Sequence, residues 1–136
     1  MGFNYFDPEV AGGLGLQTEI DNTIYPPVVK KLHYEFEGWM GDDIVESFPC
    51  YIVTGRLKMH LEQSNLSGFF FDNVLVTASD VFYQLYPDKK LPEFFWLKIS
   101  GVAGIGDFGI SEEDYRLVVS PEALSILALF NIDTAV

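Results

Sequence analysis

Thiol chemistry is almost absent from this chain. One cysteine, Cys50, stands in 136 residues, so no intramolecular disulfide can form, and a reduced compartment is the simplest match. Basic residues are nearly as scarce: eight Lys and Arg face twenty Asp and Glu, for a formal net charge of -12. Each half of the chain holds four basic and ten acidic side chains, so the acidity is global and not a tail. Such a surface repels nucleic-acid phosphates and anionic lipid, and it steers a basic protein partner. Long apolar runs are missing too, since none approaches the roughly 20 residues a spanning helix needs. The opening MGFNYFDPEV lacks the basic and apolar regions of a signal peptide, and Phe6 sits where a myristoylation signal has Ser or Thr. The expectation is a cytoplasmic protein with no nucleic-acid and no membrane partner.

Apolar residues are plentiful. They make up 49% of the chain and aromatics 15%, which supplies a core and argues against disorder. A chain of this length fits one domain and buries about two-thirds of its unfolded surface. Residues 1–27 mix Gly12, Gly13, Gly15 and Pro26-Pro27, and they read as an irregular lead-in with a short strand near Leu14 to Thr18. Residues 28–136 read as a single globular α/β domain.

Within that domain, Leu32, Tyr34 and Phe36 alternate with Lys31, His33, Glu35 and Glu37, the period of a strand with one buried and one wet face. CYIV (50–53), GFFFDNVLVT (68–77), FFWLKIS (94–100) and the segment 115–119 read as further strands. Thr54, Ser79 and Ser120 each precede a helical pattern as N-caps; Pro121 takes a first-turn position and Pro87 ends the second helix. The fold class expected is α+β: a mixed, mainly antiparallel sheet of about five strands with about three helices packed on it. Residues 51–68 and 117–134 also align as copies of one unit, pairing Val53 with Val119, Thr54 with Ser120, Leu61 with Leu127 and Asn65 with Asn131. The second helix, apolar almost all round, should be the more covered.

Catalytic motifs are weak. Cys50 heads a buried strand, and no spacing secures His33 or His60 beside it as a base. His33, Glu35 and Glu37 share one strand face with Asp42 and Asp43 close behind, an oxygen and imidazole set that could hold a divalent ion in a small hydrolase. Successive same-face positions are, however, the usual wet side of a strand. GVAGIGDFG (101–109) has its glycines in the wrong order for a dinucleotide cradle and reads as a flexible connection. No cofactor is implied.

Two acidic clusters remain. One is EFEGWMGDDIVES, with Glu35, Glu37, Asp42, Asp43 and Glu46 around Trp39 and Met40; the other is DFGISEED, with Asp107, Glu112, Glu113 and Asp114 around Phe108 and Ile110. Carboxylates beside exposed aromatic anchors make a protein-binding surface. Solvated carboxylates over a buried Trp39 are the other reading. Asp42 and Asp43 follow a glycine turn, where a helix start would favour carboxylates.

The W-x-G-D-D turn (Trp39 to Asp43), the LSGFFFD strand entry, the LPEFFWLKISG strand, the D-F loop and the closing LVVS-helix resemble a family of small bacterial immunity proteins of polymorphic toxin systems. The resemblance covers residues 28–132, about three-quarters of the chain. It implies stoichiometric neutralisation of a cognate toxin domain, basic where the toxin acts on nucleic acid, and not turnover. The partner-binding residues expected on this reading are Glu35, Glu37, Trp39, Asp42, Asp43, Glu46, Asp107, Phe108, Glu112, Glu113 and Asp114. A metal-dependent hydrolase using His33, Glu35 and Glu37, or an adaptor domain of a larger assembly, are the alternatives.

Overall fold

CYIVT carries no polar alternation, and the computed structural model, which describes residues 2–132, shows why. These residues form β6 (Cys50–Thr54), every one of them buried. It lies between β5 (Ile44–Ser47) and β9 (Phe94–Ile99), with β7 (Phe69–Asp72) beyond β9, in an antiparallel sheet of order β5-β6-β9-β7. Side chains alternate across this sheet into two separate cores. Ile44, Tyr51, Val53 and Leu97 enter one, whereas Val45, Cys50, Ile52, Phe94 and Trp96 enter the other. A strand buried on both faces has no wet register, so its sequence is continuously apolar.

The first core is closed by α1 (Gly55–Gln63), α3 (Pro121–Leu127) and a three-stranded sheet in which β11 (Leu117–Val119) lies between β1 (Asn4–Tyr5) and β10 (Phe108–Ile110). Leu57 and Leu61 on α1, and Ala123 and Leu127 on α3, are its helical contribution. Burial of each leucine stabilises the fold by about 1.5–3 kcal/mol. The rest of α3 is better covered than the rest of α1, as its composition suggested.

The second core is closed by β4 (Val28–Phe36) and α2 (Asp80–Leu85). β4 pairs antiparallel with β2 (Gly12–Leu14) and β3 (Glu19–Asp21), and parallel with β8 (Val74–Ala78). The three helices agree with expectation, and all strand pairs but one are antiparallel. The strand number does not agree: among the described residues there are eleven strands in three sheets, not about five in one.

Two reasons account for the difference. The lead-in 1–27 supplies β1, β2 and β3, each of two or three residues, too short to show a period. The expected single strand 68–77 is two strands in different sheets, β7 and β8, divided at Asp72-Asn73. Asp42 and Asp43 open a strand, β5, and not a helix. No helix among the described residues is long and apolar enough to cross a membrane.

Candidate functional site

The suspected repeat has a physical basis at two aspartates. Asp43 stands one residue before β5, and Asp107 one residue before β10. The hairpin after each ends in the hydroxyl residue that caps the next helix, Thr54 or Ser120. Thr54 donates its amide to the Asp43 carbonyl at 2.9 Å and its hydroxyl to the Asp43 carboxylate. Ser120 donates its amide to the Asp107 carbonyl at 2.9 Å and its hydroxyl to Asp107 Oδ1 at 2.6 Å.

The segment after each helix then reaches across to the other aspartate. The Asn131 amide, beyond α3, donates to Asp43 Oδ2 at 2.9 Å, and the Asp43 amide donates back to the Asn131 carbonyl at 2.7 Å. The Ser67 amide, beyond α1, donates to Asp107 Oδ2 at 2.9 Å, and the Asp107 amide donates back to Ser67 Oγ at 3.2 Å. Each unit clasps its counterpart. The caps differ in one respect: Ser120 also accepts from the Ala123 amide, whereas the Thr54 hydroxyl goes to Asp43 and makes no cap bond.

These bonds change the standing of the acidic clusters. Asp43, with a side chain 2% exposed, also takes the Arg56 guanidinium through both oxygens, at 2.7 and 2.6 Å. Burial pushes its pKa up, but the bonds from Arg56, Thr54 and Asn131 outweigh burial and hold it below the usual range. Asp107 is likewise lowered on balance, its burial opposed by Ser120 and Ser67. Asp42 is buried as well. Phe108, expected as an exposed anchor, is 0% exposed: β10 turns its ring into the first core against Phe69, so it presents no surface to a partner. Asp42, Asp43, Asp107 and Phe108 thus serve the fold.

Trp39 lies between the two readings. It is half-buried, its indole N–H donates to the Asp42 carbonyl at 2.9 Å, and its ring meets Phe94 edge-on. Lys89 donates to its carbonyl at 2.7 Å and stands 5.1 Å from its ring. Met40 beside it is 69% exposed. Under this turn lies Glu9, which the sequence did not single out. Its Oε2 accepts from the Met40 amide at 2.8 Å, and its Oε1 is the one buried side-chain oxygen without a partner among the described residues. Burial raises its pKa.

His33 is not free to ligate a metal. Its Nδ1 accepts from the Gln17 amide at 3.1 Å and its Nε2 lies 2.7 Å from Thr77 Oγ1. The turn at 15–18 covers the ring so closely that a Cβ on Gly15 would fall 2.1 Å from Nδ1. The expected wet face is therefore exposed at Lys31, dry at His33, half-covered at Glu35 and exposed again at Glu37, just past the end of β4. Among the described residues no three His, Cys, Asp or Glu are grouped to hold an ion.

What the structure does bring together is Glu46 from the first cluster and the 111–116 loop from the second. Arg116 pairs with Asp7 at 2.6 Å and lies 3.9 Å over the Tyr5 ring. Glu46 titrates high, at about 7, first because it is half-buried and then because Asp7 is near, with Arg116 opposing. Asp114 is lowered on balance: burial is outweighed by bonds from Ser111 and Tyr5 and by Arg116. Glu112 and Glu113 are exposed on the same loop.

Beside this group opens a cleft of about 310 Å³, walled by Pro26, Pro27, Phe48, Pro49, Tyr51, Trp96, Lys98 and Tyr115, with Cys50 at its base. Tyr25-Pro26 and Phe48-Pro49 are both cis. Tyr25, 72% exposed, stacks near Phe48 and meets Tyr115 edge-on at 5.3 Å. Tyr115 is held at φ 56°, closed into the loop by its amide bond to the Ser111 carbonyl. Left-handed backbone at a large side chain is uncommon and collects at functional sites. Cys50 is buried and its thiol is pushed up to about 12, mainly by that burial, which makes it a poor nucleophile.

Glu46 gives this region a pH signature. Its folded pKa, about 7, lies above the unfolded 4.5, so the native state holds the extra proton between those values and stability falls as pH rises through that window. Partial exposure screens the charge, so the penalty above about pH 7 is of order 1–2 kcal/mol. Glu46→Gln should therefore be more stable than the parent at about pH 8 and equal to it near pH 4.5, as read by urea unfolding at both pH values. No family model, curated protein or solved structure matches the chain.

Proposed function

We propose that this protein is an immunity protein that neutralises a cognate bacterial toxin domain in the cytoplasm by direct stoichiometric binding. The observation that carries the reading is the juxtaposition of an open, aromatic cleft with a set of carboxylates. Tyr25, Phe48 and Tyr115 offer large rigid contact area, while Glu46 and Asp7 lie close to the Tyr51 wall and Glu112, Glu113 and Asp114 directly precede Tyr115 on its loop. Buried aromatic anchors supply most of the energy of such contacts, and charges supply steering and register. A chain with formal charge -12 approaches a basic partner faster at low salt.

The partner surface is thereby revised residue by residue. Glu46, Glu112, Glu113 and Asp114 remain in it; Glu35, Glu37 and Trp39 lie on the other side of β5 and form at most a second contact. Co-expression with a candidate toxin domain taken from a neighbouring gene tests the reading. Restored growth and a complex of one copy of each on size exclusion are expected; growth arrest with no complex would overturn it.

A further inference from the structure

The cleft specifies more than a protein partner. We infer that it takes an apolar side chain of the partner whose immediate neighbour is a lysine or arginine, with the apolar group between the two proline turns and the cation at the Glu46 end. This rests on the neutralising reading and names the chemistry of its site.

Size limits the apolar part. A cavity of about 310 Å³ lies at the low end of the roughly 300–1,000 Å³ of small-molecule sites, room for one or two large side chains and not for a helix face. The walls are proline and aromatic rings, rigid surfaces that lose little side-chain freedom when covered.

Charge decides the neighbour. Glu46 faces Tyr51 across the β5–β6 ladder, and Tyr51 is a wall of the cleft, so the carboxylate stands beside that wall although it does not itself line the cleft. Among the described residues no donor hydrogen-bonds to it. Asp7 is engaged by Arg116, which among the described residues is the cation that acts on this group, against Asp7, Glu46 and the three acids of the loop. Lys98, on the opposite wall, is held by Asp72 at 3.4 Å and over Trp96 at 4.3 Å. The Glu46 end therefore holds five carboxylates against one cation, Arg116, which is paired with Asp7 and only partly offsets Glu46; an incoming ammonium or guanidinium supplies the donor Glu46 lacks and favours release of the proton it holds up to about pH 7. A second copy of the chain, at -12, is repelled, as is a nucleic acid.

The test uses the whole chain, isotope-labelled, and two blocked tripeptides, acetyl-Arg-Phe-Arg-amide and acetyl-Glu-Phe-Glu-amide, titrated to millimolar concentration with amide shifts as the readout. The basic peptide should shift Cys50, Tyr51, Ile110 and Tyr115, and the acidic one should not. Glu46→Gln should weaken the basic peptide about fivefold, Phe48→Ala by tenfold or more, and Glu62→Gln, the same charge loss on α1, not at all. Glu46→Gln retains the shape of the side chain, so the test does not depend on Phe48→Ala folding. Equal shifts from both peptides, shifts elsewhere or none would overturn the inference. A cleft silent to both peptides in a chain that still rescues growth refutes this site alone. Peptide binding without rescue refutes the neutralising reading instead.

Discussion

Asp43→Ala should lower the stability of the fold by about 3–4 kcal/mol, far more than any other carboxylate in the chain. The side chain accepts from Thr54, from two nitrogens of Arg56 and from the Asn131 amide, and it is 2% exposed. Truncation leaves the buried Thr54 hydroxyl and the Asn131 amide without that acceptor, and it unfastens the segment after α3 from the β5–β6 hairpin. Arg56→Ala should cost only about 1 kcal/mol, because the guanidinium is 62% exposed and its attraction to Asp43 is screened by water. Asp107→Ala should fall between, at about 1–2 kcal/mol, since the carboxylate accepts three hydrogen bonds, from the Ser67 amide and hydroxyl and the Ser120 hydroxyl, but is partly exposed. Urea unfolding at neutral pH separates the three. The pH limb gives a second check. Asp43 has a folded pKa below the unfolded value of 3.8, so its contribution is complete above that value and is lost as pH falls through the folded one. Asp43→Asn should flatten that acid limb. A cost below 1 kcal/mol for Asp43→Ala would mean that the clasp does not hold the two units together.

The two aspartates also show where reading the sequence succeeds and where it stops. Thr54, Ser79 and Ser120-Pro121 mark helix starts within a few residues, and all three helices follow them. CYIV and FFWL are continuous apolar runs, and both lie in central strands, β6 buried throughout and β9 buried or half-buried at every residue. The break inside 68–77 had a signal as well. Phe69 and Phe71 face inward, then Val74, Val76 and Ala78 do, so the alternation slips by one residue at Asp72-Asn73, a pair that favours turns. Strands of two or three residues give no such period, and β1, β2 and β3 exist only because β11 and β4 offer them partners.

Acidic residues are harder to sort, because an aspartate tied to distant backbone and an aspartate in solvent have the same neighbours in sequence. Asp43 and Asp107 find their partners 88 and 40 residues away. The paired hydroxyl caps of the repeat were the available clue, since each lies at the end of the hairpin that its aspartate begins. The cleft had no local clue at all. Its walls come from the turns at 26–27 and 48–49, from β9 and from the 110–115 loop, four segments that only the central sheet brings together.

Gly68→Ala should cost about 3–5 kcal/mol, because a methyl group there meets both a left-handed backbone and a neighbouring strand. Gly68 holds φ at +96°, and a Cβ there would lie 2.1 Å from the Phe108 carbonyl oxygen. Gly101 is equally close to the same oxygen, and its amide and that of Ser100 both donate to the Gly68 carbonyl, at 3.0 and 2.8 Å. The Phe108 amide donates to Ser67 at 3.1 Å, so three backbones cross where β7 begins, β9 ends and β10 begins. The glycines of GVAGIGDFG, expected as a flexible connection, are in part the packing surface of this crossing, and Phe108 is buried because of it. Backbone cannot move aside as a long side chain can, so the methyl must separate strands or distort them. Gly104→Ala provides the comparison: φ is +84° but nothing lies within 4 Å, which leaves only the conformational cost of about 1–2 kcal/mol. Gly13→Ala has open space and no left-handed φ, and should change stability by less than about 0.5 kcal/mol. Thermal unfolding of the three variants orders them. If Gly68→Ala melts with Gly104→Ala, the crossing is not tight and the 101–109 segment is the loose connection its composition suggests.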